Sequence, residues 1–483
     1  MSTPKKLRAI VIGAGMSGIL AAIKLREIGV EVAIFEKADR VGGTWRDNTY
    51  PGLACDVPSH AYSYSFALNP DWSCHYAPGP EIQNYFENVA EQFDVAGLVR
   101  FGSEVTDATW VDDHWSVTTA DGYSGEAEIV IAATGVLHHP NVADIAGLDD
   151  FSGKWFHSAR WDHSAETSGR RVGVIGTGST AVQITSALVD EVEHFSLFQR
   201  TPQWVLPLPN PTYDHQEQDR LRNNPDAHAR LHRYLNDSMT VRLSNHLINA
   251  DSEVMAEVEA QCEANLNTVV DDDLRQRLKP DYRAACKRLV ISPDFYEKVQ
   301  RPNVNLVTSA INRIEPEGVR TADGTLHEID VLVLATGFKV DSFVRPMNVV
   351  GQAGHTLDEI WNPRPLAYLA VGVPHIPNFF MLNGPNGPVG NFSLIEIAEQ
   401  QMNYIVQLVE QVKVGRCQAI APDVEATNTY EQQRSEACSD TIWMTGCRSW
   451  YLDDRGIPAT WPWTFDRFSS EMSAPKLNHY TMK

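Results

Sequence analysis

Residues 8–18 read Arg8-Ala9-Ile10-Val11-Ile12-Gly13-Ala14-Gly15-Met16-Ser17-Gly18, and this stretch decides the fold. The apolar run before Gly13 predicts a short strand, the glycines form the pattern G-x-G-x-x-G, and the apolar spacing from 19 to 28 predicts a helix. The next segment, Glu31-Val32-Ala33-Ile34-Phe35-Glu36, predicts a second strand. The chain therefore begins with a parallel β-α-β unit, and the glycine pattern predicts that this unit binds a dinucleotide.

The glycines and one acid of this unit have separate predicted roles. Gly13 permits the tight turn, Gly15 lets a pyrophosphate reach backbone N–H groups at the helix N-terminus, and Gly18 allows close packing of helix on strand. Glu36 ends the second strand, where a carboxylate accepts hydrogen bonds from ribose hydroxyls. For the glycines taken alone, an ordinary tight turn is the alternative.

A second unit of the same architecture begins at residue 171. A predicted strand over 171–175 leads into Gly176-Thr177-Gly178-Ser179-Thr180-Ala181, in which alanine replaces the third glycine, and another strand is predicted at 194–198. That strand carries no acid at its end and continues as Gln199-Arg200-Thr201-Pro202. An acid would repel the 2'-phosphate of NADPH, whereas a guanidinium binds it through two hydrogen bonds, so the pattern favours NADP over NAD. A solvated surface charge is the alternative for this arginine.

The rest of the sequence indicates how the chain is arranged around these two units. Each unit closes with an apolar run ending in Ala-Thr-Gly, at 129–135 and 331–337, which predicts two buried strands. Prolines interrupt the second unit after residue 201, and a polar, largely helical stretch follows from about 214 to 283. We interpret this stretch as a helical insertion, with a free-standing domain as the alternative. Residues 379–388 return to strand-like and loop-like sequence.

Length and charge limit the class of protein. A chain of 483 residues is long enough for two or three domains. It has no apolar run of about 18 residues, so we expect no membrane insertion, and no cleavage site follows the first apolar run, so we expect no export. The net charge of -22 disfavours nucleic acid as a partner.

The cysteines predict an intracellular, reduced protein. Seven are present, at positions 55, 74, 262, 286, 417, 438 and 447, an odd number with no C-x-x-C spacing. We therefore expect free thiols in the cytoplasm, with neither a metal site nor a disulfide framework.

Two longer motifs narrow the chemistry. The segment Phe151-Ser152-Gly153-Lys154-Trp155-Phe156-His157-Ser158-Ala159-Arg160-Trp161-Asp162 matches F-x-G-x-x-x-H-x-x-x-W-[PD]. The segment Gly42-Gly43-Thr44-Trp45-Arg46-Asp47-Asn48-Thr49-Tyr50-Pro51-Gly52-Leu53-Ala54-Cys55-Asp56 matches G-G-x-W-x-x-x-x-Y-P-G-x-x-x-D at every fixed position. Both motifs are typical of flavin-dependent (type I) Baeyer-Villiger monooxygenases, and the chain resembles that family from the first glycine loop to the region of Trp450.

The resemblance implies an α/β fold with two Rossmann-like dinucleotide-binding domains, one for FAD and one for NADP. It implies a first part of the FAD domain at 1–145, an NADP domain at 150–338 with the helical insertion at about 208–285, and a return to the FAD domain with C-terminal active-site loops at 339–483. The implied substrates are a small ketone and O2, and the implied assembly is a monomer or homodimer.

The glycine loops and the resemblance together give a set of expected cofactor-binding residues. They are Gly13, Gly15, Ser17, Gly18, Glu36, Thr44, Trp45, Asp56, Tyr62, Val105, Gly176, Thr177, Gly178, Ser179, Thr180, Gln183, Arg200, Thr201, Lys287, Arg288 and Trp450.

Arg288 and Asp56 are the catalytic residues that the resemblance implies. The family has a Lys-Arg pair near the flavin, which Lys287-Arg288 matches, with the lysine on the 2'-phosphate and the arginine stabilising the anionic C4a-peroxyflavin. Asp56 would hold the arginine through an ion pair. The implied reaction inserts one oxygen atom of O2 beside a ketone carbonyl and consumes NADPH. A loop-capping acid and a surface cation are the alternatives for the two residues.

Some features leave alternatives open. After Trp450 the chain reads Tyr451-Leu452-Asp453-Asp454-Arg455-Gly456, which departs from the G-A-N-x-P-G-K of many ketone-oxidising members, and the sequence does not distinguish linear, cyclic, aromatic or steroidal ketones. We expect His157 to have a structural or domain-coupling role rather than to act as a general base, and Trp161 to pack.

Three other functions are alternatives to Baeyer-Villiger oxidation. A flavin-containing N- or S-oxygenase shares both loops, but Trp161-Asp162 argues against it. A disulfide reductase needs a redox pair, and Cys55 and Cys74 are too far apart for C-x4-C. A non-enzymatic flavoprotein is the third alternative.

Overall fold

The structure is a computed structural model that describes residues 6–388, 390 and 392–483. Within that part, the strands in chain order are β1 Arg8–Ile12, β2 Glu31–Phe35, β3 Val99–Arg100, β4 Val105–Val111, β5 His114–Thr119, β6 Ser124–Ala127, β7 Ile129–Ala132, β8 Lys154–His157, β9 Arg171–Ile175, β10 His194–Phe198, β11 Val205–Leu206, β12 Val290–Ile291, β13 Val304–Val307, β14 Ile311–Glu315, β15 Gly318–Thr321, β16 Leu326–Glu328, β17 Val331–Leu334, β18 Asn348–Val350, β19 Phe379–Met381, β20 Ile420–Pro422 and β21 Tyr480–Met482.

The α-helices of the described residues connect these strands and cover the sheets. In chain order they are α1 Met16–Glu27, α2 Thr44–Asp47, α3 Gly79–Gln92, α4 Ser179–Leu188, α5 His215–Arg222, α6 Pro225–Arg242, α7 Glu253–Leu266, α8 Asp272–Leu278, α9 Phe295–Val299, α10 Leu357–Ile360, α11 Leu394–Lys413, α12 Val424–Ala437 and α13 Phe465–Ser473. None of them is both long and apolar enough to cross a lipid bilayer.

Two parallel sheets of five strands dominate the molecule. The first has the order β19-β7-β1-β2-β3 and the second has the order β13-β10-β9-β17-β8. Strands β7 and β17, each of which has a neighbour on both sides, are buried along their whole length. This burial explains their unbroken apolar sequences. The predicted α/β fold with two Rossmann-like units is thereby confirmed.

The first sheet draws its strands from both ends of the chain. Strand β19 pairs with β7, Phe379 opposite Val130, although about half the chain lies between them. Helix α11 packs on α1, and both helices belong to the largest apolar cluster, beneath the first sheet. A four-stranded sheet, β18-β4-β5-β6, lies beside this unit.

Helices α5 to α8 lie between β11 and β12, two short strands that pair in parallel. Each helix begins at a side-chain cap that accepts the backbone N–H three residues on; the caps are Asp214, Asn224, Ser252 and Asp271. This is the polar stretch that the sequence predicts to be helical.

The prediction that all seven cysteines are free thiols is wrong for two of them. Cys286 and Cys447 form a disulfide with their Cα atoms 6.1 Å apart. They are separated by 161 residues. Sequence spacing reveals pairing only within local motifs, so a bridge between distant segments leaves no pattern in the sequence.

Candidate active site

A cavity of about 1350 Å³ opens where both parallel sheets present the carboxyl ends of their strands. Ligands of open α/β sheets bind at such edges. The cavity is larger than the usual space for one small ligand. Every sequence-predicted site residue lines it except Gly18.

The first glycine loop has the geometry that its pattern requires. Gly13 has φ +103°, and a Cβ there would lie 2.6 Å from the carbonyl oxygen of Ala133. A Cβ at Gly18 would lie 1.8 Å from the carbonyl oxygen of Gly13, so this glycine lets helix α1 pack on the turn and does not reach the cavity. Gly15 faces the cavity, and a Cβ there would meet nothing nearer than 3.4 Å. The space in front of Gly15 is therefore free for a phosphate group.

Neighbouring residues hold the carboxylate of Glu36 in place. Its carboxylate accepts the backbone N–H groups of Ala14, at 2.8 Å, and Ala38, at 2.9 Å, and the guanidinium of Arg46 lies against it. Sequence reasoning missed Arg46, because the motif that contains it has a variable position there. The acid stays in the cavity wall, where it is nearly buried.

The motif at 42–56 connects the two units. Gly43 approaches Gly15, and Trp45 donates its indole N–H to the hydroxyl of Tyr62 at 3.1 Å. Further along, Tyr50 donates to Oε1 of Gln183 at 2.8 Å, which puts this segment against helix α4 of the second unit. Burial raises the pKa of Tyr50 to about 12, so its hydroxyl remains a donor at neutral pH.

Close packing fixes the same contact. A Cβ at Gly52, which has φ +79°, would lie 2.5 Å from the backbone oxygen of Gln183. The amide of Gln183 in turn donates to the backbone oxygen of Ala54 at 3.0 Å. The Y-P-G part of the motif is therefore a contact between the two dinucleotide-binding units.

Asp56 and Arg288 form the central ion pair of the cavity. Nε and Nη2 of Arg288 both donate to Oδ2 of Asp56, at 3.1 Å and 2.6 Å. The carboxylate raises the pKa of the guanidinium, so Arg288 is always a cation. Its side chain keeps 37% of its surface exposed, because it faces the open cavity. The structure thus brings together the two residues expected to be catalytic.

Two further groups hold Arg288, and sequence reasoning missed both. Nη1 donates to the backbone oxygen of Gly390 at 3.2 Å, and the guanidinium also hydrogen-bonds the hydroxyl of Tyr451. Gly390 has φ +89°, and a Cβ there would lie 2.2 Å from the hydroxyl oxygen of Tyr451. Tyr451 directly follows Trp450, the only signal that could have pointed to it.

The second glycine loop lies near a pair of cations. The Nζ atom of Lys287 lies 4.4 Å from the centre of the Tyr282 ring, and burial lowers its pKa. The negative charge of Asp281 raises this pKa and the positive charge of Arg200 lowers it, and Lys287 and Arg200 both line the cavity. The hydroxyl of Thr177 donates to the backbone oxygen of Thr201 at 2.7 Å and so fixes the segment after β10 against the loop.

Trp450 forms the outer wall of this region. Its ring stacks on that of Tyr451 with centroids 4.1 Å apart, and 47% of its surface is exposed. The loop around it also brings Arg448 and Ser449 to the cavity.

In the motif at 151–162, His157 and Trp161 contact neighbouring parts of the fold. His157 accepts the backbone N–H of Ala159 at Nδ1 and bonds the carbonyl oxygen of Gly337 through Nε2, at 3.1 Å and 3.0 Å. Trp161 packs edge-on against Phe156. Neither His157 nor Trp161 lines the cavity, although Ser158 of the same motif does. His157 lies at the link between β8 and the segment after β17.

The flavin-binding monooxygenase-like family matches residues 5–347, which is most of the chain. A Baeyer-Villiger monooxygenase of Streptomyces coelicolor is 39% identical over 98% of this chain and 92% of its own length. The chain belongs to the flavin-binding monooxygenases of the Baeyer-Villiger type. The resemblance seen in the two long motifs is therefore confirmed.

Solved structures agree with this assignment. The cyclohexanone monooxygenase of Rhodococcus sp. Phi1 bound to NADP+ superposes with a TM-score of 0.88, at 30% identity and with full coverage of both chains. The complex of OTEMO with FAD and NADP superposes with a TM-score of 0.90, at 27% identity, again over both whole chains. NADP+ is bound in the first of these neighbours, and FAD and NADP are bound in the second.

Proposed function

We propose that this flavoprotein consumes NADPH and inserts one oxygen atom of O2 beside the carbonyl of a small ketone, giving an ester or lactone. The observation that carries the proposal is the Asp56–Arg288 ion pair, because it faces the same cavity as both glycine loops. A fixed cation that opens onto a cofactor cavity stabilises negative charge on an oxidant far better there than in water.

The residues of the cavity fit both cofactors. The space in front of Gly15 and the anchored carboxylate of Glu36 would hold the ADP half of FAD. Arg200 and Lys287 would hold the 2'-phosphate of NADPH, since both cations line the same cavity as the second glycine loop and a bound anion would offset the repulsion between them. FAD, when bound, supplies the chemistry that takes hydride from NADPH and activates O2.

The roles of the chain's own residues follow from their contacts. Arg288 stabilises the anionic oxidant and the negative charge that develops on the ketone oxygen. Asp56 is a positioning residue: it holds Nε and Nη2 and so directs Nη1 toward Gly390. Trp450 closes the cavity on the NADP side and helps to exclude water.

The test is a panel of linear, cyclic, aromatic and steroidal ketones, scored by product identity under ¹⁸O2. We expect an ester or lactone that carries one labelled oxygen, and no such product from Arg288→Ala. Product identity is essential because NADPH consumption alone does not separate oxygenation from release of hydrogen peroxide. Oxygenation of sulfides or amines with no ketone product would instead support the N- or S-oxygenase alternative.

Several broader features belong to the same proposal. We infer an FAD domain at 1–145 and 339–483 around an NADP domain at 150–338, since the strands of the two parallel sheets follow that division. Location in the cytoplasm and a monomeric or homodimeric state are also proposed. Fractionation of the native source and light scattering of the purified protein test these two points.

A further inference from the structure

The disulfide joins the two segments that bring cations and an aromatic ring to the NADP side of the cavity. Cys286 directly precedes Lys287 and Arg288, and Cys447 lies three residues before Trp450. Of the described cysteines, the other five are free. The bond therefore sits where it can couple the oxidation state of sulfur to the binding of cofactor.

The loop that contains Cys447 has few other anchors. The backbone oxygen of Ser449 accepts the N–H of Leu452, and its side-chain oxygen accepts the N–H of Tyr451. Among the described residues, no backbone hydrogen bond joins 446–450 to a more distant segment. On either side the chain is well held: Ile442 donates to the backbone oxygen of Leu247 at 2.9 Å, and Ala459 donates to that of Tyr451. Between these points the disulfide is the covalent tie.

We propose that Cys286 and Cys447 are a redox modification site whose disulfide form fixes the 446–450 loop over the NADP side of the cavity and whose dithiol form releases it. The proposal rests on the proposed function only for assigning that side of the cavity to NADPH. The pairing itself is a property of the chain alone.

The oxidant is a hydroperoxide, for which hydrogen peroxide is the simplest case. The thiolate of Cys447, the less buried of the two sulfurs, attacks one peroxide oxygen; an S–O bond forms, the O–O bond breaks and water leaves. The thiol of Cys286 then attacks the sulfenic sulfur; an S–S bond forms and a second water leaves. Two thiols lose two electrons and two protons, and one peroxide becomes two waters.

Reduction uses an external dithiol. One of its thiolates attacks the sulfur of Cys447 and displaces Cys286 as a thiol, and its second thiol then displaces Cys447. The reductant leaves as its own disulfide. The cycle connects to the enzyme's chemistry, because a flavin monooxygenase that oxidises NADPH without a substrate releases hydrogen peroxide.

The effect on cofactor binding follows from the population of the held loop. If the released loop occupies its binding position about a tenth of the time, the Kd of NADP+ rises about ten-fold. Oxidation restores the tighter binding, so leaked peroxide would tighten the enzyme's hold on its cofactor.

The first measurement is peptide mapping of the FAD-loaded protein after treatment with hydrogen peroxide or with dithiothreitol, using differential alkylation. We expect the peptides that contain Cys286 and Cys447 to be linked after peroxide and separately alkylated after dithiothreitol. The second is calorimetric titration of both forms with NADP+, where we expect about a ten-fold weaker Kd for the reduced form, reversed on reoxidation.

Variants make the second measurement specific. Cys286→Ala and Cys447→Ala should give the weaker Kd under both treatments, whereas Cys262→Ala, which removes a buried free cysteine, should keep the difference. Bound FAD per chain checks that each variant is folded. Thiols that stay free after peroxide, or a bridge whose reduction leaves the Kd unchanged, would overturn the proposal. Neither result depends on ester formation, so a failure of the proposed function is seen separately.

Discussion

Nη1 of Arg46 lies 3.0 Å from Oε1 of Glu36, and each of these side chains is about 95% buried. The same carboxylate also accepts two backbone N–H groups from the neighbouring loops. A buried ion pair of this kind costs much free energy when only one partner is removed, because the other charge stays behind without compensation. The pair therefore fixes Glu36 before any nucleotide arrives.

Arg46→Met should lower the free energy of unfolding by about 3 kcal/mol and weaken FAD retention, since Glu36 would remain buried and unpaired. The double variant Arg46→Met/Glu36→Gln should recover part of the stability but not the FAD. Thermal unfolding of the apoprotein and bound flavin per chain measure the two effects. A double variant no more stable than the single one would contradict this reading of the pair.

Gly15→Val should yield a folded, colourless protein. A Cβ at this position meets nothing nearer than 3.4 Å, and the side chain would fill the space proposed for the pyrophosphate. Gly97→Val is the matched control, since a Cβ at Gly97 meets nothing within 4 Å and the residue does not line the cavity. Circular dichroism and the flavin absorbance of the purified proteins test this, and full flavin occupancy in Gly15→Val would move the FAD site elsewhere.

Arg200→Ala should raise the KM for NADPH by roughly 10- to 100-fold and leave that for NADH almost unchanged. A charge-assisted hydrogen bond to the 2'-phosphate contributes about 1.5 to 3 kcal/mol, and NADH has no such phosphate. Arg170→Ala is the control, because Arg170 is an exposed arginine of the same unit that pairs with Glu166 at 3.5 Å and does not line the cavity. Equal changes for both nucleotides would mean that Arg200 does not bind the phosphate.

Arg288→Ala should still accept hydride from NADPH but lose ester formation by about 100- to 1000-fold, because it removes one preorganised electrostatic contact. Hydrogen peroxide should replace the ester as the product of NADPH oxidation. Asp56→Ala should show a milder form of the same defect, since it acts on the arginine and not on the oxidant. Rapid-mixing reduction rates, peroxide assays and product yields measure the steps separately, and a normal ester yield would remove Arg288 from the catalytic residues.

We expect the free energy of unfolding to fall as pH rises, because of the carboxyl group of Glu396. Burial, with help from the charges of Asp237 and Glu399, raises its pKa to about 7. The folded state therefore keeps the carboxyl proton up to about pH 7, whereas the unfolded chain loses it near the ordinary pKa of 4.5. The stability that this difference gives at about pH 5 is lost as pH approaches and passes 7. The loss should be on the order of 1 to 3 kcal/mol.

Chemical unfolding of the protein at about pH 5 and about pH 8 measures this loss. Glu396→Gln should flatten the dependence, because its side chain has no proton to exchange. Glu410→Gln, at an exposed position of the same helix α11, should keep the dependence of the unaltered chain. If all three proteins lose stability equally, another group is responsible.

The local parts of the fold could be predicted from the sequence. Gly13 and Gly176 identified both turns, because each needs positive φ and lies where a Cβ would meet a neighbouring backbone. The runs before them identified the central strands. These features depend on consecutive residues, so a short window of sequence is enough to predict them.

The distant parts of the site could not be predicted in the same way. The bond between Cys286 and Cys447, and the contact of Tyr451 with Arg288, join residues that the fold brings together from far apart. Arg46 was missed for another reason: its motif position is variable, although its partner Glu36 was predicted. Which residues contact each other depends on three-dimensional packing. A single sequence shows which residues are present but not which of them pair.

Strand β19, which lies at the edge of the first parallel sheet, has a consequence for how the protein is made. Once residue 334 has left the ribosome, all five strands of the second sheet are available, whereas the first sheet still lacks Phe379–Met381 and the helix Leu394–Lys413 that packs on α1. The unit that is synthesised second can therefore close during translation, and the unit that is synthesised first stays incomplete with apolar surface for chaperones to cover until most of the chain has emerged.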